Sequence, residues 1–271
     1  MKIACHQFDV AFGRPTENVE RIVDVARQVK REGTDLLLLP EACLTGYCVS
    51  CAEEAESIAL PRSSEYLEAI RLASEELDML IAFGFAEAGD GKPYNSAVLL
   101  EPGREPRFYR KTHLPELGLD RHVEPGRELP VFETRLGKIG ILICFDLRVP
   151  EAARVLALRG AQLILLPTNW PQGSETSAEH VAITRAAENR VFLAACNRVG
   201  EENGFRFIGR SKIIHPSGQI LAGAGTEEET IMAECDLAEA LLKRNVFDPG
   251  RFETTVFDCR QPDLYQPLGQ A

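Results

Sequence analysis

The stretch GKIGILICFDLRVPE, residues 137–151, decides the fold class because it places a buried strand directly before a helix. Its run of β-branched and long aliphatic residues predicts a strand over 138–144 that ends on Cys144. Pro150 suits the first turn of a helix, predicted over 150–161. In open α/β proteins such strand ends carry the chemistry, because free backbone N–H groups there can meet developing negative charge. Cys144 is therefore a candidate nucleophile, although a lone cysteine is more often a small core residue.

Strand-like and helix-like patterns alternate along the rest of the chain. Helical spacing of apolar residues predicts helices over 16–33, opened by a Thr16 cap, and over 177–190. Apolar runs predict strands over 2–8, 35–41, 79–85, 94–100, 162–170 and 191–197, and a PSG turn predicts a hairpin over 207–221. We therefore expect an α/β fold with one domain over 1–271, in which the residues from about 245 form a C-terminal extension at a surface or subunit interface.

Length and composition narrow the classes of protein to consider. With 271 residues, 45% of them hydrophobic, the chain can bury a large core. A net charge of -11 disfavours a nucleic-acid or anionic-membrane partner, because either would attract a basic surface. No apolar run approaches the roughly 20 residues of a membrane helix, and the first residues resemble a strand rather than a signal peptide. We expect a cytoplasmic protein with neither kind of partner.

The eight cysteines are scattered, which favours reduced thiols over a disulfide framework. Cys43, Cys48 and Cys51 match the spacing of the first three ligands of a plant-type iron-sulfur site. The next cysteine along the chain is Cys144, in a different predicted element, so the fourth ligand is missing. Coincidence is the favoured interpretation. A Ser-His-Asp hydrolase is disfavoured because the chain has no GxSxG motif.

Three reactive side chains follow predicted strands. Glu41 ends the run LLLLPE, Lys111 ends RFYRK, and Cys144 ends GILIC. Strands of one sheet bring such ends together, so the three can share a pocket. A thiol needs a base to become a strong nucleophile, and a nearby ammonium can stabilise an oxyanion. Taken singly, each residue also has an ordinary interpretation, as a cap, a surface charge or a core residue.

The same segments resemble the three motifs of the nitrilase superfamily, the carbon-nitrogen hydrolases. LPEACLTGY resembles the motif of the general-base glutamate, YRKTHLP that of the catalytic lysine, and GILICFDLRVPE that of the nucleophilic cysteine. The similarity extends from residue 2 to about 235. It implies a four-layer α-β-β-α sandwich in which Glu41, Lys111 and Cys144 share one pocket. It also implies a homodimer or larger homo-oligomer, and no metal or organic cofactor.

The resemblance further implies a route through a thioester on Cys144. Glu41 takes the thiol proton, and Lys111 with the backbone N–H of Phe145 holds the oxyanion. Many members carry a second acid in the loop after the lysine. Here Asp120 is the first candidate and Glu116 the second, and either can equally be a surface acid of the loop.

The residues after Cys144 bear on the substrate. Nitrilases in the narrow sense have Trp-Glu there, whereas Phe145 and Asp146 resemble the amidase and carbamoylase branches. The expected substrate is a small amide or N-carbamoyl compound. The alternatives are a nitrile, cleaved by a nitrilase proper, and a non-catalytic binding protein of the same fold.

Four further residues are candidates for substrate binding. Arg148 matches a position where some members carry an arginine, which can grip a carboxylate; a structural pair with Glu188 is the alternative. Asn169 and Trp170 resemble pocket-lining residues, although the proline that follows allows a simple turn. Tyr47, in the loop after Glu41, is the fourth candidate.

Overall fold

The computed structural model describes residues 1–269, so 270 and 271, the end of the expected domain, lie outside the described residues. The helices are α1 (Pro15–Arg31), α2 (Ala52–Ile58), α3 (Glu65–Leu77), α4 (Pro150–Leu158) and α5 (Ala182–Asn189). The strands are β1 (Lys2–Gln7), β2 (Leu36–Leu38), β3 (Leu80–Glu87), β4 (Tyr94–Leu100), β5 (Arg107–Arg110), β6 (Val131–Thr134), β7 (Gly137–Ile141), β8 (Leu163–Pro167), β9 (Phe192–Cys196), β10 (Glu201–Glu202), β11 (Phe205–Arg206), β12 (Lys212–Ile214), β13 (Ile220–Gly223), β14 (Glu229–Glu234), β15 (Asn245–Asp248) and β16 (Phe252–Thr254). Short 3-10 helices cover Gly118–Arg121, Cys144–Arg148, Leu237–Leu241 and Pro262–Gly269, and a π-helical turn, Ser177–Val181, leads into α5.

Twelve of the strands form two six-stranded sheets with the same internal plan. The first sheet has the order β14-β1-β2-β3-β4-β5 and the second β13-β12-β9-β8-β7-β6. In each sheet three strands, β1 to β3 and β7 to β9, run parallel, and each strand outside them pairs antiparallel with its neighbour. Parallel strands need crossover connections, and these bring helices onto the outer faces of the sheets.

The packing of alternate residues on each strand produces four layers. Leu36 and Leu38 of β2 lie between the two sheets, where they join a cluster with Ile141 and Leu163 of the second sheet. Leu37, between them in sequence, belongs instead to the cluster beneath α1 and α3. A third cluster packs the second sheet against α4 and α5. The expected α-β-β-α sandwich is therefore confirmed.

The element boundaries differ from the sequence prediction in specific places. The strand expected over 35–41 is the shorter β2, and the strand expected to end on Cys144 ends at Ile141. Helix α1 begins at Pro15, one residue early, and has no side-chain cap, so the predicted role of Thr16 is wrong. The paired strands 79–85 and 94–100 are confirmed as antiparallel β3 and β4, and the PSG hairpin as β12 and β13.

The segment from residue 245 forms the ribbon β15-β16 and the last 3-10 helix. It exposes several large apolar side chains, among them Phe247, Phe252, Leu264 and Leu268. An exposed apolar set of this kind is typical of an interaction surface, and its place at an interface stays a prediction. Over residues 1–269, no helix combines the length and the apolar character that crossing a membrane would require.

One glycine lets the chain after β2 lie against β3. Gly84 N donates to the Pro40 carbonyl at 3.1 Å, and Leu44 N donates to the Gly84 carbonyl at 3.2 Å. A Cβ atom on Gly84 would lie 2.4 Å from the backbone N of Ala42 and 2.7 Å from the Cα of Glu41. Only glycine permits this approach without moving the turn that carries Glu41.

We expect Gly84→Ala to push that turn away from β3 and to lower the free energy of unfolding by about 3 kcal/mol, because the clash is with backbone atoms. Urea unfolding measures the change. Gly223→Ala is the matched strand control, since its Cβ would meet only the Ile220 side chain at 3.6 Å. Equal stability of the two variants would contradict the prediction.

Candidate active site

Glu41 lies in a tight turn just beyond β2. Ala42, which follows it, has a φ of 47°, in the left-handed region that non-glycine residues seldom adopt. The turn is closed by hydrogen bonds from the backbone N of Thr45 and of Gly46 to the Ala42 carbonyl, at 3.1 and 2.8 Å. The Glu41 side chain is completely buried. The turn therefore directs a carboxylate into the protein, not toward solvent.

Lys111 directly follows β5 and is also completely buried. Its Nζ lies 2.7 Å from Glu41 Oε1 and 2.6 Å from Asp120 Oδ2. Asp120 comes from the 3-10 helix Gly118–Arg121 in the loop after the lysine. It therefore occupies the place expected of the second acid. Glu116, the other candidate, does not: it is exposed, and no contact between its carboxylate and Lys111 occurs among residues 1–269.

Two neutral side chains complete the surroundings of these charges. Asn95 Nδ2 donates to Glu41 Oε1 and to Asp120 Oδ1, both at 2.8 Å. The hydroxyl of Tyr47 donates to Asp120 Oδ2 at 2.7 Å. Within the described part of the chain, Glu41 Oε2 is buried without a hydrogen-bond partner. That oxygen is thus free to accept a proton from a reacting group.

Cys144 stands at a sharp bend between β7 and α4. Its φ is 45°, and it is the first residue of a 3-10 helix in which Phe145 is the second. Backbone N–H groups at the start of a helix have no partner within the helix, so that of Phe145 is available to an oxyanion. The Cys144 side chain is only partly buried.

The ionisation of these groups follows from burial and from their mutual charges. Burial, with the negative charge of Glu41, raises the pKa of Cys144 to about 12, against the opposing effect of Lys111. Burial also raises the pKa of Glu41, although Lys111 partly offsets it. Burial alone would lower the pKa of Lys111, but Asp120 and Glu41 hold it above its ordinary value. The resting site thus holds an ammonium, a neutral thiol and a carboxylate that is a better base than usual.

Asp146, two residues after the nucleophile, connects the bend at Cys144 to the segment that carries Lys111. Its Oδ2 accepts from Tyr109 Oη at 2.7 Å and from the backbone N of Ile143 at 2.9 Å. Its Oδ1 lies 2.7 Å from His113 Nδ1 and accepts from the His113 backbone N at 2.9 Å. Burial opposes ionisation, but the hydrogen bonds from His113 and Tyr109 hold the pKa of Asp146 below its ordinary value. Nothing local in the sequence indicated a role for Asp146 beyond its resemblance to the amidase and carbamoylase branches.

A buried ion pair supports the loop of Tyr47 from the other side. Glu202 Oε1 accepts from the backbone N of Tyr47 at 2.8 Å and of Cys48 at 2.6 Å. Its Oε2 accepts from Arg198 at 2.6 Å. This pair was not predicted, because nothing local to Arg198 and Glu202 relates them to residue 47.

The remaining substrate-binding candidates, Arg148, Asn169 and Trp170, differ in their burial and in their contacts. Arg148 is exposed, and residues 1–269 offer it no acid partner, since Glu188 pairs instead with Arg185 at 2.9 Å. Asn169 is buried, and neither of its side-chain polar atoms has a partner among the described residues. Trp170 is buried in the apolar cluster beneath α4 and α5. A contact with substrate stays a prediction for all three.

The iron-sulfur alternative finds no support in the geometry. Cys43 and Cys48 are buried whereas Cys51 is exposed. Within residues 1–269, no group of three or more cysteine, histidine or acidic side chains is placed to hold a metal ion.

Comparison with known proteins identifies the relatives of this chain. The family model described as carbon-nitrogen hydrolase matches residues 2–244. A 2-oxoglutaramate amidase of Bacillus subtilis is 32% identical, over 97% of this chain and 98% of its own length. A nitrilase of Pyrococcus abyssi is 35% identical, over 88% and 90%.

A solved structure has the same fold and carries a covalent adduct on its own active-site cysteine. It is a variant of the amidase from Nesterenkonia sp. AN1 with the acetamide moiety of fluoroacetamide added covalently at the active-site cysteine. It superposes with a TM-score of 0.80 at 26% identity, covering 98% of this chain and 96% of that one.

We expect Asp146→Asn to lower the free energy of unfolding by about 3 kcal/mol at pH 7, because an amide must turn its N–H groups toward donors on one side. The contribution of Asp146 is present above its ordinary pKa of 3.8 and is lost as pH falls through the lower folded value. The difference from the unmodified protein should therefore narrow in acid. Urea unfolding across pH measures this, with exposed Asp24→Asn as control; a difference independent of pH would contradict it.

Proposed function

The chain belongs to the carbon-nitrogen hydrolase family, and we propose that it cleaves the C–N bond of a small amide or N-carbamoyl compound through a thioester on Cys144. One observation carries the proposal. The ammonium of Lys111 is buried between the carboxylates of Glu41 and Asp120, and the charges of Glu41 and Lys111 act directly on the Cys144 thiol.

The first step is a proton transfer coupled to nucleophilic attack. Burial, and then the negative charge of Glu41 beside it, raise the pKa of the Cys144 thiol and keep it neutral at rest. Transfer of its proton to Glu41 leaves the net charge of the site unchanged. Glu41 Oε2 is the acceptor, since Oε1 is occupied by Lys111 and Asn95. The sulfur then bonds to the carbonyl carbon of the substrate.

The negative charge moves onto the former carbonyl oxygen. Lys111 has three N–H donors, and two of them face Glu41 and Asp120. The third can donate to the oxyanion together with the backbone N–H of Phe145. Fixed donors stabilise such charge strongly, because they need no reorganisation during the reaction.

Collapse of this intermediate breaks the C–N bond. Protonated Glu41 returns its proton to the leaving nitrogen, and ammonia or an amine departs. Water then gives a proton to Glu41 and attacks the thioester carbon. The C–S bond breaks, the carboxylic acid is released, and the proton on Glu41 restores the thiol.

We further propose that the substrate bears a carboxylate. Arg148 is exposed four residues after the nucleophile, and its alternative partner Glu188 is engaged by Arg185. A guanidinium without an acid partner can bind a substrate carboxylate bidentately. The relative named 2-oxoglutaramate amidase acts on an amide of this kind.

The remaining sequence expectations stay predictions. A homo-oligomer is supported by the apolar side chains exposed on the segment from residue 245, which water disfavours. The cytoplasmic location expected from the sequence also stays a prediction.

We expect Cys144→Ala to reduce ammonia release about a thousandfold or more, since both the attack and the covalent intermediate are lost. Amides, N-carbamoyl compounds and nitriles form the substrate panel, and intact-mass measurement detects the acyl adduct in the protein with its native Cys144. Cys259→Ala, at an exposed thiol in the C-terminal segment, is the control and keeps full activity. Unchanged hydrolysis by Cys144→Ala would favour a non-catalytic binding protein, and turnover of nitriles alone would favour a nitrilase proper.

We expect Arg148→Ala to lower kcat/KM about 10- to 100-fold for an amide with a carboxylate, because a charge-assisted hydrogen bond is lost. The matched amide without a carboxylate keeps its kcat/KM. Arg27→Ala, at an exposed arginine of α1, controls for the overall loss of positive charge. Equal losses on the two substrates would remove Arg148 from carboxylate recognition.

A further inference from the structure

The carboxamide of Asn95 bridges the two carboxylates on either side of Lys111. Its Nδ2 is 2.8 Å from Glu41 Oε1 and 2.8 Å from Asp120 Oδ1. An amide nitrogen has two protons, so both are used. The residue is 1% exposed, and its Oδ1 has no partner among residues 1–269. Both N–H groups of this buried amide thus bind carboxylates, and its oxygen binds no described residue, so the amide acts only as a donor to negative charge.

The opposite orientation of the amide is excluded by its surroundings. A flipped Asn95 would direct its oxygen at two carboxylate oxygens, which offer no donor when ionised. The backbone also limits its movement, because Lys111 N donates to the Asn95 carbonyl at 2.8 Å. The strand that carries Asn95 and the start of the lysine loop are thus held together at this point.

The consequence lies in how the oxygens of Glu41 are shared. Oε1 accepts from both Lys111 and Asn95, and Oε2 accepts from no described residue. Lys111 alone could bind either oxygen, since an ammonium is a compact charge on a flexible stem. A second donor fixed on a strand removes that freedom. It also adds a second donor, beside Lys111, between Glu41 and Asp120, which disfavours a proton shared by the two carboxylates.

We propose that Asn95 is the positioning residue that selects Oε2 of Glu41 as the proton acceptor and keeps Glu41 ionised beside Asp120. This rests on the proposed function, because it assigns a direction to the base of that reaction. Asn95 touches neither sulfur nor substrate in this account. Its hydrogen bond lowers the pKa of Glu41 against the effect of burial, which agrees with that role.

The test follows the rate of Cys144 alkylation by iodoacetamide against pH, with ammonia release from an amide measured in parallel. The exposed thiols of Cys51 and Cys259 are replaced by serine so that the adduct reports one site. In the unmodified site the rate of alkylation falls at low pH as Glu41 becomes protonated. This fall is the acid limb of the pH profile. Asn95→Ala should slow alkylation about 10- to 100-fold at neutral pH, because a charge-assisted hydrogen bond is lost, and should move the acid limb to higher pH. Asn95→Asp, which adds a carboxylate, should move the limb further.

The matched control is Asn189→Ala. Asn189 is equally buried, makes one side-chain hydrogen bond to the Arg185 carbonyl at 2.9 Å, and also has an Oδ1 without a partner in the described region, but it lies in α5. The Asn189→Ala variant should have a lower Tm and an unchanged acid limb. If Asn95→Ala fails to fold, Asn95→Ser retains one donor and should give a smaller shift.

The outcomes separate the two proposals. Lower Tm with an unmoved limb in the Asn95 variants would overturn the positioning role and make Asn95 a structural residue only. A protein with intact Asn95 in which Cys144 is not alkylated, or shows no acid limb, would overturn the proposed function instead.

Discussion

The ammonium of Lys111, buried between two carboxylates, is the interaction on which this site depends. Removal of three ions from water is costly, and it is offset only when each charge is paired and hydrogen-bonded. Loss of one partner from such a group costs about 3–5 kcal/mol, because an uncompensated charge remains buried. Glu41, Lys111 and Asp120 come from three separate segments, so the same pairing that prepares the chemistry also joins the ends of β2 and β5 to the loop beyond them.

The charges around Cys144, together with its burial, explain why the thiol is not ionised before substrate binds. Two carboxylates and one ammonium leave one negative charge, and a thiolate beside it would add a second. Burial of the thiol is the larger cost, and the two together raise its pKa to about 12. Reactivity therefore requires a proton acceptor within the site, not a permanently ionised sulfur. Glu41 fits this requirement because burial raises its pKa and one of its oxygens is unoccupied.

The two sheets supply rigid ends from which strained turns project. Ala42 and Cys144 both adopt left-handed φ values, which cost energy for residues with a Cβ. Each turn is held by its surroundings: the close approach of Gly84 supports the first, and the hydrogen bonds to Asp146 support the second. Asp146 also binds His113, so the bend of the nucleophile and the lysine loop are fixed relative to one another. Strain at these two positions is thus maintained by contacts distant in sequence.

The sequence by itself determined the alternation of helices and strands, because periodicity is local, although it did not reveal α2 and α3. Its motifs, which are also local, pointed to Glu41, Lys111 and Cys144, and the family resemblance they carry implied the four-layer class. The sequence placed strand ends too late, since apolar residues continue past the last ladder hydrogen bond at Leu38 and Ile141. Only the tertiary structure separated Asp120 from Glu116, because the short helix that turns one inward and leaves the other in water has no distinctive pattern. Asn95 shares a face of β4 with Ala97 and Leu99, so a polar residue between the sheets was a readable signal. Its two acceptors come from distant segments, and only folding brings them to it.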